Sequence, residues 1–260
     1  MSSITVCLIS CGEFTEDKCR ASIEQFRRRA VFKEVLYVYP QIKALWKMIE
    51  QTTTDYLIPV DSDMILNPDA LDRIEQAISE NQSNWHSILF PLYDTLTKRK
   101  IFALKVLKMK VMREFSFAET ATPDVEHFKR LTEAGYSCIS KFEEDPIGTH
   151  NVVGPKFCYH KYLDVYRTLK VYGFEWDNGV FMGGETILEK SKKHYDYFLK
   201  EWILTQNEDY LWCIAGMLDG LISETYNKSK SLKDMPEIDI RLIIDRYTAW
   251  YQSSQSLAIF

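Results

Sequence analysis

From Ile4 to Phe90 the chain alternates short, strongly apolar runs with stretches in which apolar residues recur at three- and four-residue spacing. Few folds accept that pattern. Ile4-Thr5-Val6-Cys7-Leu8-Ile9, Val35-Leu36-Tyr37-Val38-Tyr39, Tyr56-Leu57-Ile58-Pro59-Val60 and Ile88-Leu89-Phe90 have the length and β-branched content of buried strands. Between them, Cys19, Ile23, Phe26 and Ala30 mark a helix from about Glu16 to Arg29, and Ile42, Leu45, Trp46 and Ile49 mark a second. A third carries Leu71, Ile74 and Ile78, with Asn67 as its N-cap and Pro68 as its first residue. Parallel neighbours need a crossover between them, so strand–helix alternation builds a mostly parallel, Rossmann-like sheet covered by helices on both faces. The expected class is α/β.

The third run ends abruptly in Asp61-Ser62-Asp63. In open α/β sheets ligands collect beyond the carboxyl ends of the strands. Two carboxylates there point at a cation, and hard divalent ions are held by one or two carboxylates plus substrate phosphates. Asp61 and Asp63 therefore fit Mn²⁺ or Mg²⁺ gripping a diphosphate. The plainer alternative is an Asx turn at Asp61 with Asp63 in solvent. At the end of the first strand, Ser10-Cys11-Gly12-Glu13 forms a tight turn around Gly12.

The second half is less regular. Lys98, Arg99, Lys100, Lys105, Lys108, Lys110 and Arg113 come with no acid among them, interleaved with apolar residues. This basic stripe is either the solvated face of an ordinary element or a docking surface for a polyanion such as DNA or an anionic membrane. A short helix around Val125, Phe128 and Leu131 leads to a loop from Glu143 to Pro155 that contains His150 and Asn151. Helices follow through Tyr162–Leu169 and Ile187–Trp202, separated by a turn at Trp176-Asp177-Asn178-Gly179. Asn207 caps another helix with Glu208 and Asp209 in its first turn, and a last helix runs from near Pro236 to about Tyr251. No repeat or linker interrupts the chain, which reads as one compact domain.

With 46% hydrophobic residues the 260-residue chain can bury a sizeable core. Its net charge of −5 argues against a protein that coats nucleic acid. None of the six cysteines forms a Cys-x-x-Cys pair, which favours buried thiols over zinc or disulfides. No segment is apolar for long enough to span a bilayer, and the start lacks the basic and apolar regions of a signal peptide. The expected location is cytoplasmic, with peripheral membrane contact through the basic stripe as a variant.

Taken together, these features resemble nucleotide-sugar-dependent glycosyltransferases of the A-type (GT-A) fold. Ser10-Cys11-Gly12-Glu13 matches the place where that family begins its nucleotide pocket, and Asp61-Ser62-Asp63 matches its Asp-x-Asp metal motif. Asn178-Gly179-Val180 is similar to a segment facing donor and acceptor in some members. Asn207-Glu208-Asp209 is similar to the acidic pair that inverting members use as base. The resemblance implies a donor-binding half over residues 1–95 and an acceptor-binding half with C-terminal helices over 96–260. It implies transfer from a nucleotide-diphosphate sugar, foremost a UDP-sugar, to an acceptor hydroxyl on a saccharide, a glycolipid or a hydroxymethylated DNA base. Ser10, Cys11, Gly12, Glu13, Lys43, Asp61 and Ser62 are the donor-side residues, with Glu13 toward base or ribose and Lys43 toward a phosphate. His150, Asn151, Asp177 and Asn178 are the acceptor-side residues, and Asp209 or Glu208 is the base, unless both only complement the helix N-terminus, worth about 0.3–1 kcal/mol. Many members add a histidine as third metal ligand near the carboxyl end, whereas the last histidine here, His194, lies within a helix. The two later motifs point to opposite stereochemical outcomes, so retention and inversion both stay open. The alternatives are a sugar-phosphate nucleotidyltransferase, which would carry a glycine- and arginine-rich loop after the first strand, and a non-catalytic nucleotide-sugar binding module.

Overall fold

A computed structural model describes residues 3–13, 15–38, 41–81, 84–115, 117, 123–150, 154–172, 176–177, 180–181, 187–222 and 239–257. The chain divides into two compact units, Met1–Val152 and Val153–Phe260.

The first unit runs β1 (Ile4–Ser10), α1 (Glu16–Glu24), β2 (Val31–Leu36), α2 (Gln41–Gln51), β3 (Tyr56–Asp61), β4 (Ile65–Leu66), α3 (Ala70–Glu80), β5 (Trp85–Asp94), β6 (Arg99–Lys108), α4 (Met109–Glu114), α5 (Pro123–Glu133), β7 (Ser137–Ser140) and β8 (Gly148–His150). One sheet joins its strands in the order β2-β1-β3-β6-β5-β8-β4, with β7 also on β5. β1 pairs in parallel with β2 and β3, and β5 with β7 and β8, while β6 inserts antiparallel between β3 and β5. Strand periodicity sorts the side chains to two cores. Ile4, Val6, Leu8, Ile58 and Val60 meet Cys19 and Ile23 of α1 and Leu71 and Ile74 of α3 on one face. Cys7, Leu57 and Leu107 meet Ala44 and Met48 of α2, Val111 of α4 and Leu131 of α5 on the other. The sheet is covered on both sides, as the alternation requires.

Several local expectations change. α1 stops at Glu24, because the chain tightens into i+3 turns where Phe26 N–H donates to Ile23 O and Arg27 N–H to Glu24 O. α3 starts at Ala70 with Asp69 at the N-cap position, and the Asn67 side-chain amide instead donates to Pro146 O at 3.2 Å. The basic stripe is β6 and α4, an inner strand of the sheet. Lys105 lies 5.0 Å over the Phe128 ring, Lys108 5.0 Å over Trp85, and Lys100 donates to Phe142 O and Glu144 O. Arg113 donates to Thr52 O at 2.5 Å. Internal rings and carbonyls thus engage four of the stripe's cations. The division at 95/96 falls in the turn between β5 and β6, whose long antiparallel pairing keeps both sides in one unit.

The second unit runs α6 (Pro155–Tyr172), β9 (Trp176–Asp177), β10 (Val180–Phe181), α7 (Ile187–Thr205), α8 (Asp209–Ile222) and α9 (Ile240–Leu257). α6 and α8 approach so closely that a Cβ on Gly216 would sit 1.9 Å from Tyr159 O. Cys158 and Cys213 meet in this contact, both buried, and all six cysteines are free thiols. Among the described residues no helix is long and apolar enough to cross a membrane.

Candidate metal and donor site

Parallel pairing of β1 and β3 brings their carboxyl ends side by side, with Ile9 opposite Asp61. The turn after β3 is held from within. Ser62 N–H donates to Ile9 O at 3.0 Å, Met64 N–H to Asp61 O at 2.9 Å, and Thr15 Oγ1 to Ser62 O at 2.8 Å. Glu13 ties the two strand ends together: its Oε2 accepts from Ser10 Oγ at 2.7 Å, from Cys11 N–H at 2.8 Å and from the Ser62 hydroxyl. Glu13 and Ser62, expected on the donor side, hold each other across the two strand ends. Ser62 is buried, and Oε2 of Glu13 is engaged by the turn. Ser10 is buried as well, its hydroxyl accepting from Gly12 N–H and lying 2.5 Å from Glu16.

The carboxylates on either side of Ser62 differ in exposure. Asp61 is exposed at the strand end. Protein crowded around it, and then the like charge of Asp63, push its carboxyl up to about 6, while His150 and Lys105 pull it back down. Solvent reaches Asp61 directly and screens part of that crowding penalty. Asp63 is buried at 5% exposure, and its Oδ1 has no hydrogen-bond partner among the described residues. A buried carboxylate oxygen left open is costly and marks a place for a cation or donor.

The side chain beside it is His150. Within the expected loop, Gly148-Thr149-His150 forms β8, three residues too short to announce themselves, wedged between β5 and β4. Gly148 permits this, since a Cβ there would meet Ile65 O at 2.5 Å. His150 Nε2 is 3.4 Å from Asp63 Oδ2, and its Nδ1 is 2.9 Å from Asp94 Oδ2. Asp94 was missed in the sequence, although it carries the same signal as Asp61: a carboxylate closing an apolar run, here Ile88 to Asp94. No three His, Cys, Asp or Glu side chains among the described residues form a ready cage. A hexacoordinate ion that keeps waters and substrate phosphates does not need one. The carboxylates of Asp61 and Asp63 are oxygen donors of the kind that such an ion takes.

No family model matches the sequence, and no curated protein matches it. Among solved structures, the chain is similar to a mannosyltransferase from Pyrobaculum calidifontis in complex with GDP-Man and Mn²⁺ (9% identity, 98% of this chain and 83% of that one, TM-score 0.48). It is also similar to glucosyl-3-phosphoglycerate synthase from Mycobacterium tuberculosis in complex with Mn²⁺, UDP and glucosyl-3-phosphoglycerate (11%, 66% and 80%, 0.43). A third likeness is to S. aureus TarS 1-349 (10%, 85% and 81%, 0.41).

The structure therefore gathers Ser10, Cys11, Gly12, Glu13, Asp61, Ser62, Asp63 and His150 in the first unit and adds Asp94. Lys43 is exposed near the start of α2. In the second unit, Asp177 ends β9. Asp209 opens α8, where its N–H donates to Asn207 Oδ1 at 3.0 Å, and Glu208 is exposed beside it. Burial, then the Glu208 charge, raise the Asp209 carboxyl, against the Asn207 bond. Asn151 and Asn178 lie outside the described residues.

Proposed function

We propose that this chain is a metal-dependent glycosyltransferase that moves a sugar from a nucleotide-diphosphate sugar, UDP-sugars first, to an acceptor hydroxyl. One observation carries the reading: Asp63, at the carboxyl end of a parallel strand, holds a buried and unpartnered oxygen beside a second carboxylate and an imidazole. Asp61 and Asp63 would hold the ion. A bound divalent ion supplies Lewis-acid stabilisation of the charge that develops on the departing diphosphate. The Glu13–Ser62 tie keeps the two carboxylates in place so that little reorganisation accompanies donor binding. Asp209 is the acceptor-side base, with Glu208 as the alternative. Its raised carboxyl supports this role, because a stronger base takes a hydroxyl proton more readily. The internal engagement of Lys100, Lys105, Lys108 and Arg113 supports a saccharide or glycolipid acceptor over DNA or an anionic membrane surface.

A panel of nucleotide sugars screened by thermal shift, with and without Mn²⁺, tests the reading. Ligand binding raises stability by mass action, so at least one sugar nucleotide should raise the midpoint with Mn²⁺ and lose that effect in EDTA. No response to any donor under either condition would refute it.

A further inference from the structure

We infer that His86 and His127, buried where α5 lies against the sheet, form an acid-operated latch: protonation of the pair releases α5 from β5 and β6. The latch uses no residue of the metal and donor site, so it stands or falls apart from the proposed function.

The contact is built from rings. His86 in β5 and His127 in α5 are both 0% exposed. The His86 ring lies 5.2 Å from Phe128, and His127 stacks on Phe117 at 4.1 Å. Leu131, one turn on, is buried against Leu107 of β6 and Val111 of α4. Neither nitrogen of His86 has a hydrogen-bond partner among the described residues. A neutral imidazole carries one N–H donor and one acceptor, and leaving both unmet in the interior costs free energy. A phenyl or isobutyl group would fill the same space without that cost. The layer thus holds titratable rings at a stability disadvantage, the mark of a residue kept for something other than packing.

The charged groups around the pair do not favour a second positive charge. From β6, Lys105 Nζ lies 5.0 Å over the Phe128 ring, and Lys108 Nζ lies 5.0 Å over Trp85, the neighbour of His86. From β7, the Cys138 sulfur accepts from Ser87 Oγ at 3.3 Å. Within α5, Glu126 Oε1 accepts from Arg130 at 2.5 Å while its Oε2 stays buried, and Lys129 pairs with Glu133 at 4.0 Å. Beyond the helix, Tyr136 donates to Glu114 of α4 at 2.9 Å. Burial first, and then the charge of His127, depress the His86 imidazole to about 4.

α5 is also the element placed to yield. Lys129, Thr132 and Glu133 face solvent, and β7 after it is four residues long, largely exposed and paired with β5 alone. Elements with few buried contacts open at lower cost than central strands such as β1, which β2 and β3 flank. As α5 leaves, each imidazole takes one proton from solvent, and Phe128 and Leu131 are uncovered. The open form binds more protons between pH 6.5 and 4, so opening through His86 alone rises about tenfold per pH unit as pH falls through that window.

Backbone hydrogen exchange of the full chain, read by mass spectrometry at pH 7 and pH 5 and corrected for intrinsic rates, tests the latch. In the unmodified protein, α5 should open about tenfold or more at the lower pH, while β1 and β3 keep their protection. In His86→Leu and His127→Leu, each shown by melting at pH 7 to fold, that rise should shrink. If neither folds, exchange of the His86 ring Cε1 hydrogen in the unmodified protein decides, since the ring must titrate together with the loss of α5 protection. The inference is overturned if α5 stays protected at pH 5, if β1 and β3 open with it, if folded variants show the full rise, or if the ring titrates while α5 stays closed.

Discussion

The two units treat their carboxylates in opposite ways. In the sheet unit, Asp63 is buried with an open oxygen and lies beside His150 Nε2, and Asp61 is pushed toward its neutral form by crowding and by Asp63. In the helical unit, Asp209 opens α8, where the helix dipole favours an anion and Asn207 Oδ1 accepts from its N–H, while burial and the Glu208 charge raise its carboxyl. One unit concentrates uncompensated charge at strand ends, whereas the other is built for close helix packing. Sites that break the rules of a stable fold are where function is expected, and here the breach lies in the sheet unit. Asp209 has a bond to Asn207 at the start of α8, whereas Asp63 Oδ1 has no hydrogen-bond partner among the described residues.

The largest effect that would sharpen this contrast is structural. Gly216→Ala drives a methyl into the Tyr159 carbonyl across backbone that cannot yield, so thermal melting should reveal a loss of about 3 kcal/mol or more. A variant as stable as the parent would mean that the α6–α8 contact is not the tight one described. Next comes activity. Asp63→Asn should abolish metal-dependent turnover of the responding donor while keeping the fold. Asp209→Asn should lower turnover about 10²–10⁴-fold, as removal of a general base does, and leave donor hydrolysis and metal binding untouched. Full transfer by both Asp209→Asn and Glu208→Gln would remove the helical unit's acids from the mechanism.

A smaller effect concerns acid stability. His86 is fully buried in β5, and burial, followed by the nearby His127, pushes its imidazole down to about 4. Its folded value lies below the unfolded one, so the unfolded chain binds more protons between pH 6.5 and 4 and stability falls as pH drops through that window. The slope is about 1.4 kcal/mol per pH unit, and urea midpoints at pH 7 and 5 should converge in His86→Leu. Smallest is Asp61→Asn without metal. Removing one of two like charges should raise the melting midpoint slightly at pH 7, the usual trade of stability against function. A lower midpoint would mean that Asp61 makes stabilising contacts of its own.

Much of the sheet unit was legible because its strands are apolar and its helices amphipathic: Ile4–Ile9, Tyr56–Asp61 and the helices carrying Ile23 and Ile74 stand where the pattern puts them, whereas α2 buries Ile42, Ala44 and Met48 and leaves Trp46 of its expected face exposed. What escaped notice was short or hidden by charge. β8 has three residues and no period to detect, and β6 reads as basic because its lysines lie across aromatic rings, a tertiary contact that local spacing does not reveal. The Asp61/Asp63 pair was visible because a carboxylate closing an apolar run is unusual. The same mark at Asp94 went unread because a single acid lacks the doubled motif. The contacts of Glu13 and Ser62 were hidden for a related reason: a residue in a turn serves the turn first, and only the fold reveals which of its polar atoms are engaged.

The central claim is that a divalent ion at Asp61 and Asp63 holds the donor diphosphate. Calorimetric titration of UDP into the full chain tests it most directly, once with Mn²⁺ and once with EDTA, in the unmodified protein and in Asp63→Asn. The account predicts UDP binding that weakens at least about tenfold in EDTA, the loss of roughly 1.4 kcal/mol of affinity, and that is insensitive to Mn²⁺ in Asp63→Asn. Equal UDP affinity with and without metal, in both proteins, would contradict it.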